Sequence, residues 1–427
     1  MTFQNAGDAA PSPPSVPIIG PAPARPVRFL GDPRAFWRLL ARGAVLLAFT
    51  LGIYRFWLAT DVRRFLWSNT EIAGDHLEYN GTATELLIGF LIAIALLLPI
   101  NMGFFVLALG MGTIGEFAGV IGFPVLFVLG QFAIFRARRY RLTRSVLRGI
   151  RFHQTGSAWR YAVCGTFWWT LVLLTLGLAY PFAQASLERY KMRNTHYGDL
   201  PGRFEGSGLR LFLRGILMWF LVVVPFVFGI FAAIGAVDWD ALNAMTSRET
   251  AADITQVQGL AAGAFIAVAG VTLSVIMAVV LYPIFLAMTM RWWLSGLRFG
   301  ELAVRSQLRK RRIFGAYLRF LLYAFLLTIA GSAAAGIGLF VHPFLTRLFG
   351  QTGGEIATTV GAVGFYVVMM LGYSTIYQAT VKLALWRHGA ESVEIEGLAV
   401  LDRVSARGGP GSAVGEGLAD ALNVGGI

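Results

Sequence analysis

The chain has 427 residues, 56% of them hydrophobic and only 14% charged, with a mean hydropathy of +0.64. That balance excludes one or two soluble domains and describes an integral membrane protein. The net charge of +13 raises nucleic acid as a partner, but the basic residues gather in short connections between apolar runs, a pattern of membrane orientation that assigns no nucleic acid.

In chain order, residues 1–26 come first. Their "AAPSPPSVPIIGPAPARP" carries no apolar core of a cleavable signal peptide and is expected to be a disordered Pro/Ala-rich tail. Residues 27–400 read as a single integral membrane domain, and 401–427 as a Gly-rich C-terminal tail. Within the domain the long apolar runs are Leu86 to Leu109, Phe117 to Phe135, Leu211 to Val237, Leu260 to Met290, Phe320 to Val341 and Val360 to Leu371 with its flanks. Each reaches or approaches the roughly 20 residues a helix needs to cross the hydrocarbon. Two shorter stretches, 36–58 and 158–182, are interrupted by the same tripeptide, Thr50-Leu51-Gly52 and Thr175-Leu176-Gly177. Gly52 and Gly177 are expected to be helix breaks there, and Pro283 a further break.

Between these stretches a basic, aromatic segment recurs as "RRFLWSNT", "ARRYRLTRS", "ERYKMRNT", "RWWLSGLRFGE" and "KLALWRHG". Asn69-Thr70 returns as Asn194-Thr195, 125 positions on. In "GDHLEYNG" and "SVEIEGL" polar and apolar residues alternate with period two, so each copy reads as a basic helix end followed by a short strand or hairpin. The fold class expected is therefore mainly α, a polytopic helical membrane protein with about six full crossings, two short re-entrant or additional crossing elements and short cytoplasmic β-hairpins. Arg136 to Arg151 and Arg291 to Arg312 are rich in arginine, whereas Val237 to Gln258 is acidic. Lysine and arginine mark the cytoplasmic side, which places both termini inside. Eight simple crossings are the alternative, at the cost of seven arginines on the outer face.

Chemistry-bearing candidates are few. Arg138, Arg139 and Arg141 in one connection, and Arg309, Lys310, Arg311 and Arg312 in another, have the ingredients of anionic-lipid contact; the alternative is that they only orient the chain. Glu116 is an isolated carboxylate in an apolar setting, explained equally by a proton or cation site or by an outer turn. Cys164 is the single cysteine, which excludes an intrachain disulfide or a Cys-based metal cluster. His76, His153, His196, His342 and His388 fall at different places in their copies, and neither a catalytic nor a metal or cofactor motif is found.

Several of these segments together resemble one family. "TLGIYRFW" at Thr50 to Trp57, Arg63-Arg64-Phe65 with Asn69-Thr70, "RRYRL" at Arg139 and "AVGEGLADALNVG" from Ala413 are similar to the bacterial YjgN-like inner-membrane proteins, across nearly the whole chain. The second copy departs from the pattern, with Arg144-Ser145 in place of Asn-Thr. The resemblance implies a multi-pass bacterial inner-membrane protein of uncharacterised function, with no catalytic residues to carry over. Two classes of function fit: a non-enzymatic membrane scaffold that interacts with membrane lipids, including anionic phospholipid, or a solute transporter or channel built on broken helices. A polar cavity reaching the bilayer midplane favours the second, and a dry helix core the first.

Overall fold

The structure, a computed structural model, describes residues 25–110, 113–240, 259–407 and Asp420. Most of the expected N-terminal tail, most of the acidic connection 237–258 and most of the C-terminal tail lie outside the described residues.

Ten α-helices are described, with a curled antiparallel sheet at one end of them. Two pairs are short: α1 (Pro33–Phe49) with α2 (Arg55–Ser68), and α5 (Ala158–Leu174) with α6 (Tyr180–Arg193). The long ones are α3 (Ala83–Gly110), α4 (Thr113–Thr143), α7 (Gly208–Ala236), α8 (Leu260–Ser295) and α9 (Lys310–Tyr377), and α9 continues through a π-helical turn at Gln378–Lys382 into α10 (Leu383–Glu391). Among the described residues four helices are long and apolar enough to cross a membrane: Ala83–Val106, Gly208–Ala236, Leu260–Gly296 and Lys310–Glu391. The sequence expectation of about six crossings thus narrows to four helices that qualify on length and composition. In the most apolar part of Gly208–Ala236 only 6% is buried inside the protein. Such a face needs a bilayer to cover it.

The two short pairs turn in the same way. Leu51 and Gly52 take φ of 49° and 90°, and Leu176 and Gly177 take 49° and 92°. Thr50 Oγ1 donates to the Leu46 carbonyl (2.7 Å) and accepts from the Tyr54 N–H (3.0 Å), while Thr175 Oγ1 does so with Leu171 (2.7 Å) and Ala179 (3.0 Å). Threonine thus ties both ends of the turn, and the glycine supplies a backbone angle that side chains resist. Long helix α9 bends at Gly350, which has φ 76° and ψ 173°. Pro283, by contrast, is not a break: α8 runs through it from Leu260 to Ser295. A helix in the bilayer absorbs one lost N–H through local adjustment and its neighbouring helix.

The strands are β1 (Arg25–Pro26), β2 (Arg28–Phe29), β3 (Thr70–Ile72), β4 (Asp75–Tyr79), β5 (Ser145–Leu147), β6 (Ile150–Gln154), β7 (Thr195–Tyr197), β8 (Leu200–Phe204), β9 (Leu297–Phe299), β10 (Leu302–Ser306) and β11 (Val393–Glu396). Tight turns join the consecutive pairs β3 to β10, with positive φ at Ala73-Gly74, Arg148-Gly149, Gly198 and Gly300, as two-residue hairpins require. The sheet order is β1-β11-β10-β9-β8-β7-β6-β5-β4-β3-β2. Its two edges are therefore neighbours in sequence: Pro26 pairs with Glu394 while Arg28 pairs with Glu71, and only Val27 lies between. The Val27 N–H bonds to the Val393 carbonyl (3.1 Å) and the Leu30 N–H to the Asn69 carbonyl (2.8 Å). The segment Arg25–Phe29 thus joins the sheet into a ring, and β1 falls on the last two residues that composition assigns to the N-terminal tail.

Candidate functional site

At the junction of helices and ring, residues from distant parts of the chain meet. One arginine at the equivalent position of each of the first three basic segments makes one kind of bond. Arg64 Nη2 donates to the Gly81 carbonyl (3.1 Å), Arg139 Nη2 to Gly156 (2.6 Å) and Arg189 Nη2 to Gly206 (3.4 Å), each acceptor 17 residues further on. Gly81 and Gly206 lie against the rings of Tyr79 and Phe204, and a Cβ at either would come within 2.6 Å of ring atoms. These arginines tie each helix end to the turn that opens the next helix.

One position earlier the side chains turn inward and build a buried polar cluster. Arg63, on α2, forms a two-pronged pair with the Asp420 carboxylate (2.5 and 3.1 Å), and its Nη1 also donates to the Tyr79 hydroxyl (3.0 Å). Arg141, on α4, reaches the same carboxylate at 3.1 Å. The Asp420 side chain is fully buried, and that of Arg63 is 7% exposed. Burial works against the charge on Arg63, but Asp420 and Tyr79 outweigh it and raise its pKa. Adjoining this pair, Glu188 lies 3.5 Å from Arg138 and bonds Lys191 and the Trp293 indole. Burial pushes the Glu188 carboxyl up, and Lys191 and Arg138 more than reverse it, so its pKa is lowered. On the other flank Tyr140 donates to Glu85 (2.8 Å), which also takes a two-pronged pair from Arg144 (3.1 and 2.9 Å).

Beneath the cluster the ring encloses a cavity of about 340 Å³, lined by Ile72, Leu147, Phe152, Phe299 and Ile395 from the strands and by Trp293 and Trp386 from the helices. Its volume falls within the range of small-molecule pockets, and its walls are apolar. The 3₁₀ turn Leu398–Arg403 inserts Leu398 and Leu401 into it. A second apolar cavity, of about 330 Å³, lies between the α5–α6 turn and helices α7 and α8, lined by Val172, Leu176, Trp219, Val222 and Phe285 among others.

The residues read from sequence as lipid contacts therefore separate into two places. Arg138, Arg139 and Arg141 are engaged by other parts of the chain, namely Glu188, the Gly156 carbonyl and Asp420. Arg309, Lys310, Arg311 and Arg312 are exposed at the start of α9, with Arg312 3.7 Å from Glu391. Glu116 falls in the first turn of α4, and its side chain lies outside the described residues. Sequence reading missed Asp420, which has no local signal of burial, and Glu188, whose partners lie on other elements. It also separated His153 and His196, which strand pairing sets face to face at 5.0 Å on β6 and β7. Burial and the neighbouring imidazole lower the pKa of His153.

No curated protein and no solved structure matches the chain. One family model does, over residues 24–421, from the first strand through Asp420. Its apolar helices fit a membrane protein, and the chain belongs to the family described as bacterial protein of unknown function (DUF898), of which the YjgN-like proteins are part.

Proposed function

We propose that the protein is a non-enzymatic scaffold of the bacterial inner membrane that binds anionic phospholipid, built from five repeated units of helical excursion and strand. The observation that carries this reading is the single ring of strands: the segments flanking every excursion pair in one sheet, so every excursion leaves and re-enters on one membrane face. Helices α3 with α4, α7 with α8, and the two arms of α9 then make six crossings in three hairpins. The short pairs dip in and return. Helices α1 and α2 have 17 and 14 residues, roughly 25 and 21 Å at 1.5 Å per residue, short of the roughly 30 Å of hydrocarbon. In the eight-crossing alternative the connections carrying β3 to β6 would sit on the opposite face from β2 and from β7 to β10, yet β6 pairs with β7 and β2 with β3. The density of arginine beside the ring supports a cytoplasmic ring and cytoplasmic termini.

The cavities among the described residues favour scaffolding over solute transport, because those reaching into the helices are lined by apolar side chains. Polar groups concentrate instead at the level of the ring. Lipid contact falls to the exposed Arg309, Lys310, Arg311 and Arg312, each contributing about 1 kcal/mol of attraction to an anionic leaflet, screened by salt. Replacing all four with glutamine is expected to reduce co-purifying phosphatidylglycerol and cardiolipin while leaving the fold intact. Unchanged bound lipid in a folded variant would mean that these residues only orient the chain.

A further inference from the structure

We propose that Arg63, Arg141 and Tyr79 form a binding site for a phosphate-bearing anion, which the carboxylate of Asp420 occupies in this structure as an intramolecular stand-in. The proposal stands apart from the scaffold reading, which its failure would leave intact.

The geometry is that of oxyanion recognition. Two guanidinium groups on separate helices converge on the two oxygens of one carboxylate, Arg63 through both of its terminal nitrogens (2.5 and 3.1 Å) and Arg141 through one (3.1 Å). A planar guanidinium fork matches carboxylate and phosphate oxygens alike, and is favoured where such groups are bound away from water. The Tyr79 hydroxyl accepts from Arg63 (3.0 Å) and fixes the orientation of the fork. Lys382 adds positive charge within electrostatic reach of Arg63. A phosphate monoester carries more negative charge than a carboxylate, so it matches two converging guanidinium groups better than Asp420 does.

The occupant also comes from the right kind of place. Asp420 lies near the C-terminal end of the chain, far in sequence from Arg63 and Arg141, whereas the structural pairs of the junction, such as Arg144 with Glu85, join the segments that form the ring. Asp420 is then an intramolecular competitor for the same donors, which an external anion displaces. The anion has two sources with the same chemistry, a free phosphate or the head group of a lipid such as phosphatidic acid, for the site lies at the junction of the helices with the ring.

The test uses the full chain in phosphatidylcholine nanodiscs. Inorganic phosphate is titrated calorimetrically against wild type, Asp420→Asn, and Asp420→Asn combined with Arg63→Gln. In parallel the three proteins are offered nanodiscs containing phosphatidic acid, and retained lipid is read by native mass spectrometry. The expected result is at least tenfold tighter binding of one of the two anions to Asp420→Asn than to wild type, abolished by Arg63→Gln. Binding of phosphate identifies a soluble ligand, and retention of phosphatidic acid without phosphate binding identifies a head group. Equal binding of both anions by wild type and Asp420→Asn, or a gain that survives Arg63→Gln, would overturn the proposal and leave a structural ion pair. If Asp420→Asn fails to fold, hydrogen exchange of the wild-type peptide carrying Asp420 decides: faster exchange on adding either anion supports the site, and unchanged exchange with both refutes it.

Discussion

Replacing Gly52 and Gly177 with alanine isolates the backbone term at the two Thr-Leu-Gly turns. No atom lies within 4 Å of where the new Cβ of Gly52 would stand, and at Gly177 the nearest is Trp219 Nε1 at 3.8 Å, an ordinary contact. Packing is therefore not at stake, and the cost comes from φ of 90° and 92°. Holding an L-residue in the left-handed region costs about 1–2 kcal/mol. The smaller conformational freedom of alanine in the unfolded chain offsets about 0.4–1 kcal/mol of that. Each substitution is expected to destabilise by about 1 kcal/mol, and the two effects should add because the turns are on separate helix pairs. Gly315, inside α9 with open space around it, is the control, where alanine should stabilise by up to about 1 kcal/mol. Reversible unfolding in mixed detergent micelles, followed by circular dichroism, reads all of these. Neutral or stabilising effects at both Gly52 and Gly177 would refute the reasoning and return the short excursions to continuous helices.

Gly206→Ala presses a Cβ to 2.4 Å from the Phe204 ring and is expected to cost about 1–3 kcal/mol, as overpacking does, measured by the same unfolding assay. Glu188→Ala leaves Lys191 and Arg138 without their buried carboxylate and should cost about 3–5 kcal/mol; Glu188→Leu combined with Lys191→Met should cost less, because it removes both charges of the close pair. His153 has a folded pKa below the 6.5 of the free side chain, so between those values the unfolded state binds more protons. Stability is then full above about pH 6.5 and falls as the pH drops towards the folded value; His153→Gln should flatten that slope in unfolding measured from pH 7.5 to about pH 5.

Much of the strand and helix content was legible because its cues are local. The alternation in "GDHLEYNG" and "SVEIEGL" lies on β4 and β11, and the Thr-Leu-Gly turns advertise themselves through a hydroxyl and a glycine in fixed order. Ring closure was not legible, since β1 and β2 are two residues each and β1 lies inside a Pro/Ala-rich stretch that reads as tail. The intramolecular pairing of Arg138, Arg139 and Arg141 was hidden for a different reason. A run of arginines looks like a solvated surface until its acceptors are known, and those acceptors, Glu188, the Gly156 carbonyl and Asp420, are 17 to 279 positions away. Asp420 is the extreme case, an acid in a Gly/Ala-rich tail whose partners only the folded chain brings to it.

The central claim, that every strand hairpin lies on one face of the membrane, is tested most directly by single cysteines at exposed ring positions. Glu78, Thr155, Asp199 and Glu301 lie in or beside four different hairpins, and Asp240 lies at the opposite end of α7. Each is replaced by cysteine in a Cys164→Ser background and treated with a membrane-impermeant maleimide in intact spheroplasts and again after lysis. The account predicts that the four ring cysteines react only after lysis and that Asp240→Cys reacts in intact spheroplasts. Labelling of Thr155→Cys from outside while the cysteine at Asp199 stays protected would divide β6 from its partner β7 across the bilayer and contradict the ring.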